Sequence, residues 1–116
     1  MKVAVIGSRN ITLNNLGDYL PKGLTEIVSG GAKGVDTYAR QYANEHNIKL
    51  TEFLPEYNRY KRGAPLKRNI QIAEYADKVL AFWDGKSRGT KYVIDYCKSN
   101  NIPIEIVIVD ITQCTE

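Results

Sequence analysis

The strongest constraint on this chain is an alternation. Short apolar runs at residues 2–6, 25–28, 78–83 and 103–109, and a run at 48–54 whose polar residues suit an edge strand, take turns with segments whose apolar residues recur at helical spacing. A run that is apolar without a period of two reads as a strand buried on both faces, and such strands joined by helices form a parallel sheet. The expected fold is therefore α/β: a single doubly wound parallel sheet of five strands. Right-handed crossovers leave few topologies, and the strand order 3-2-1-4-5 is the expected one.

The helical segments differ in how firmly their sequences define them. Val35, Tyr38, Ala39, Tyr42 and Ala43 fit one helix face throughout, as do Thr90, Val93, Ile94 and Cys97. Leu13, Leu16 and Leu20 predict a short first helix, with Thr12 or Asn10 as its cap and Pro21 and Gly23 closing it. After Pro55, residues 56–63 read as a loop rich in tyrosine and arginine. A further helix then starts at Pro65 and is carried by Leu66, Ile70, Ala73 and Ala76. The expected domain is 1–110, with 111–116 as a short polar tail.

Composition excludes more than it identifies. The chain has 116 residues, 43% of them hydrophobic and 25% charged, as expected of one ordinary globular domain. A net charge of +3 is too mild to indicate nucleic acid, but Arg59, Lys61, Arg62, Lys67 and Arg68 form a local basic cluster with no acidic residue among them. Cys97 and Cys114 lack the neighbours of a metal site and are expected as reduced thiols. No apolar run approaches the roughly 20 residues of a membrane helix. The first strand begins directly after Met1, so no secretory leader and a cytoplasmic location are expected.

In a sheet of this order, ligands lie at the carboxyl ends of the strands, beside the point where the chain reverses direction. Three loops fall there: Gly7-Ser8-Arg9-Asn10, residues 29–34 with Gly30, Gly31, Lys33 and Gly34, and residues 84–90 with Asp84, Gly85, Ser87, Arg88, Gly89 and Thr90. Glycines let backbone approach a ligand, and helix starts offer free N–H groups, a combination that suits a phosphate. Arg9, Arg68 and Arg88 could neutralise that phosphate or form surface pairs. Asp36 could accept from a ligand hydroxyl or merely favour its helix start, and Lys33 could meet a phosphate or the solvent. Trp83, Tyr57 and Tyr60 could stack on a base or belong to the core. His46 reads as a structural residue in the last turn of its helix. No Walker motif and no G-x-G-x-x-G fingerprint is present. For general acid/base chemistry the candidates are Asp36 and Asp84.

Gly7-Ser8-Arg9, the run from Ser29 to Asp36, Arg68-Asn69 and the run from Phe82 to Thr90 together resemble the YspA-type members of the SLOG superfamily. That superfamily also contains the LOG phosphoribohydrolases and the DNA-processing protein DprA. The resemblance covers the chain to about residue 109. It implies a Rossmann-like fold whose glycine-rich loops bind, and could sense, a nucleotide or nucleotide derivative. Val93 stands where the LOG motif places its functional glutamate, so the LOG mechanism is not implied. A nucleotide N-glycosidic hydrolase using Asp36 or Asp84 is the alternative. A DprA-like module for single-stranded nucleic acid is the less favoured one. Relatives commonly self-associate, so a homo-oligomer falls within the expectation, although no residue pattern marks an interface.

Overall fold

A computed structural model describes residues 1–8, 11–13, 15–31 and 34–109. Its five strands are β1 (Lys2–Gly7), β2 (Glu26–Ser29), β3 (Lys49–Glu52), β4 (Lys78–Trp83) and β5 (Ile104–Ile108). All neighbouring pairs are parallel, in the order β3-β2-β1-β4-β5. The helices are α1 (Val35–Glu45), the single turn α2 (Tyr57–Tyr60), α3 (Ala64–Tyr75) and α4 (Arg88–Ser99).

The sheet separates two cores because successive strand side chains point to opposite faces. Val3, Val5, Ile27, Leu80 and Phe82 pack on one side with Val35, Ala39 and Ala43 of α1. Ala4, Ile6, Val28, Val79 and Ala81 pack on the other with Ile72 and Ala73 of α3 and Val93, Ile94 and Cys97 of α4. Burial on both faces explains why β1 and β4 read as continuous apolar runs: Val3, Ala4, Val5, Val79, Ala81 and Phe82 are each 0% exposed. Among the described residues no helix is long and apolar enough to cross a membrane.

Four sequence expectations need correction. The first helix is only a 3-10 turn at Leu16–Tyr19, although Leu13 and Leu16 are buried as their spacing suggested. Gly17 and the nearby Pro21 are poor helix formers, and leucines three apart can be buried by a loop lying on a sheet. The third strand is Lys49–Glu52, shorter than 48–54. Residues 57–63 form α2 and a 3-10 turn at Lys61–Gly63 where a loop was expected. Finally, α3 turns Ala64, Arg68, Ile72 and Ala73 inward, while Leu66 is 38% exposed. The inward arginine accounts for that rotation.

Candidate functional site

β1 and β4 are adjacent, and their connections leave the sheet toward opposite faces, so a crevice opens between their carboxyl ends. Ser8 closes its floor. Its N–H donates to the Phe82 carbonyl at 3.1 Å, and its Oγ accepts from the Asp84 N–H at 3.4 Å. Gly7 lies so near the start of α1 that a Cβ there would stand 2.5 Å from Val35 Cγ2. Only a residue without a side chain lets the β2–α1 loop come this close to the β1 terminus.

After β4 the chain wraps around the Asp84 carboxylate. Asp84 Oδ1 accepts from the N–H groups of Lys86 at 2.8 Å and Ser87 at 2.7 Å. The Ser87 bond, helped by those of Lys86 and the Ser8 hydroxyl, outweighs partial burial and holds the carboxyl below its ordinary value. Asp84 is thus an ionised acceptor at neutral pH. The Trp83 indole N–H donates to the Ser87 carbonyl at 3.0 Å, and Ser87 Oγ donates to Thr90 Oγ1 at 3.4 Å. The first bond of the α4 ladder runs from Lys91 N–H to Ser87 O at 3.2 Å. The N–H groups of Arg88, Gly89 and Thr90 therefore precede that ladder, at the positive end of the helix dipole. Arg88 itself is exposed.

The β2–α1 loop is braced from below. Arg68 of α3 is 8% exposed, and its Nη1 donates to the Gly30 carbonyl at 2.7 Å. Its Nε donates to Asn69 Oδ1 at 2.7 Å. A Cβ on Gly30 would stand 2.4 Å from Arg68 Nη1, so this residue must be glycine for the guanidinium to reach the carbonyl. Gly31, Gly34 and Gly85 have positive φ, as turns of this kind require. Asp36 is 9% exposed in the first turn of α1.

The structure thus joins Ser8, Asp84, Ser87 and Thr90 in one bonded group and Gly30, Arg68 and Asn69 in a second. Arg9 and Lys33 lie outside the described residues, as do Asn10, Cys114 and the tail. Arg68 supports a loop from within, in contrast to the mouth cation expected from sequence. The Lys86 and Ser87 N–H groups are committed to Asp84. His46 caps α1 at its carboxyl end and stacks on Tyr42, with ring centroids 4.1 Å apart.

Sequence reasoning missed two shaping residues, the Trp83 indole donor and Ser29. Ser29 is fully buried, and its Oγ accepts from the Gly31 N–H at 3.4 Å. Neither has a motif of its own, since both act through bonds to backbone. Among the described residues no three His, Cys, Asp or Glu side chains gather as metal ligands. A hollow of about 570 Å3 between the 3-10 turn and α1 is lined by Asp18, Tyr38, Tyr42, Glu45 and His46, among others, and shares no residue with the three loops.

A family model described as YspA, cpYpsA-related SLOG family matches residues 1–60. That span includes β1, β2, α1, β3 and the first two of the three loops. No curated protein and no solved structure matches the chain. With more than half of its length matched, the chain belongs to the YspA, cpYpsA-related SLOG family.

Proposed function

We propose that this protein binds a phosphate-bearing nucleotide or nucleotide derivative in the crevice between β1 and β4, in the manner of a sensor. The observation that carries the reading is the start of α4, where the N–H groups of Arg88, Gly89 and Thr90 precede the helix ladder beside an exposed guanidinium. Asp84 shapes that turn from behind and gives it a fixed form before any ligand arrives. Membership of the SLOG family supports the ligand class.

A hydrolase reading is less well supported. A general acid needs a proton to give at neutral pH, and Asp84 is held in its ionised form by the N–H groups around it, so it could serve a hydrolase only as base or nucleophile, with no acid identified to protonate the leaving base. An ionised, bonded carboxylate is better suited to accept from a ribose hydroxyl.

Thermal denaturation with a panel of nucleoside monophosphates tests the proposal. A ligand at a hundred times its Kd stabilises by about 2.7 kcal/mol, which is easily measured. Arg88→Ala should weaken binding several-fold without lowering the stability of the free protein, because Arg88 is exposed. A panel without any stabilising nucleotide would overturn the reading. Release of free base during incubation would replace the sensor with the hydrolase.

A further inference from the structure

We infer that the hollow between the 3-10 turn and α1 is a second ligand site, separate from the crevice, and that it takes an organic cation. The group recognised is an ammonium or guanidinium, carried by a small molecule or by a side chain of another protein.

The hollow has the form of such a site before its charge is considered. Its volume of about 570 Å3 falls within the roughly 300–1,000 Å3 of small-molecule sites. Leu13 and Leu16, 7% and 5% exposed, give it an apolar lining continuous with the core. Tyr38 and Tyr42, one turn apart on α1, add two partly buried rings. Tyr42 is held from two directions. Its ring stacks on that of His46, and a Cβ on Gly17 of the 3-10 turn would stand 2.9 Å from Tyr42 Cε2. An aromatic wall braced on a helix in this way is shaped before any ligand arrives.

Charge then decides the class of ligand. The lining contains the Asp18 and Glu45 carboxylates, and no lysine or arginine is among the described residues that form it. Basic residues outnumber acidic ones in this chain, and elsewhere Glu26, Glu52, Asp95 and Glu105 each pair with one. Among the described residues neither Asp18 nor Glu45 makes an ion pair. Glu45 accepts from the neutral Gln41 amide at 3.1 Å, which leaves its charge in place. An anionic ligand would meet two carboxylates here. A cation is attracted both by those carboxylates and by the electron-rich faces of the tyrosine rings, while the leucines take up its apolar body.

Titration followed by nuclear magnetic resonance tests the inference, read at the ring protons of Tyr38, Tyr42 and His46 under constant ionic strength. The probes are choline, its uncharged isostere with a tert-butyl group in place of the trimethylammonium, putrescine, agmatine, N-acetyl-argininamide and N-acetyl-lysinamide. At least one cation should shift these rings saturably with a Kd below about 1 mM. Where that cation is choline, the isostere should bind about ten-fold more weakly or worse. Asp18→Asn with Glu45→Gln should reduce the affinity about ten-fold or more and leave the melting temperature of the free protein unchanged, because both side chains are exposed. Tighter binding of the free amines assigns the hollow to a small molecule. Tighter binding of the acetylated amides, equally lost in the double variant, assigns it to a side chain of a protein partner. The inference is overturned if no cation shifts the rings saturably, if choline binds and the isostere matches it, or if the double variant binds as the wild type does.

Discussion

Arg68 and Gly30 show how one side-chain bond can set the form of a ligand loop. The guanidinium is nearly buried, and one of its N–H groups ends on the Gly30 carbonyl. Removing a charged donor from a buried acceptor costs about 1.5–3 kcal/mol, so Arg68→Ala should lower stability by that amount. Gly30→Ala reaches the same bond from the other side, because its methyl would displace the guanidinium, and should cost about 1–3 kcal/mol. Since both substitutions break one contact, the double variant should lose clearly less than the sum of the two. Chemical denaturation of the four proteins measures the cycle, and strict additivity would show that the two residues act separately. Cys97 has a different character. Burial raises its thiol pKa, so it acts as a small apolar side chain.

At the scale of elements, the β4–α4 turn depends on the Asp84 acceptor. Asp84→Ala leaves the Lys86 and Ser87 N–H groups without their partner and should cost about 1–3 kcal/mol. Asp84→Asn keeps a side-chain oxygen and should recover most of that loss. Urea midpoints at unchanged m-value give the comparison; an Asn variant as unstable as the Ala variant would make charge, and not acceptance, the decisive property. This turn also indicates what was legible in the sequence. Strands with both faces buried, such as β1 and β4, were evident because nothing but apolar residues fits there. The face of α4 was equally clear, since Thr90, Val93, Ile94 and Cys97 all point inward. α3 was misread because hydrophobic spacing does not place an arginine inside, and Arg68 is held there by a carbonyl from a distant loop. The leucines at 13 and 16 were correctly read as buried, but burial at that spacing does not require a full helix. Likewise, the three loops could be located from sequence, whereas the commitment of two N–H groups to Asp84 depends on a turn geometry that no spacing encodes.

Across the whole molecule, two carboxylates near opposite ends of the sheet link stability to pH. Asp84 holds the crevice end. Glu26 begins β2, where its Oε2 accepts from Thr51 Oγ1 of β3 and from the hydroxyl of Tyr75 of α3, each at 2.7 Å. The Thr51 bond, then the Tyr75 bond and the nearby Lys49 ammonium, hold its carboxyl below the ordinary 4.5 despite burial. Both groups bind protons less readily in the folded chain than in the unfolded one. Their contribution is therefore fully present above the ordinary carboxylate range and is lost as pH falls through the lowered folded values. Melting temperature should be nearly level from pH 7 to about 5, then drop steeply below about pH 4. Glu26→Gln can still accept from Thr51 and Tyr75 but cannot titrate. It should start a few degrees lower at pH 7 and lose stability less steeply in acid, so that the two curves converge. Curves that stay parallel to the lowest pH would mean that the Glu26 network ties β2, β3 and α3 together by hydrogen bonding alone, with the acid transition set at the Asp84 end.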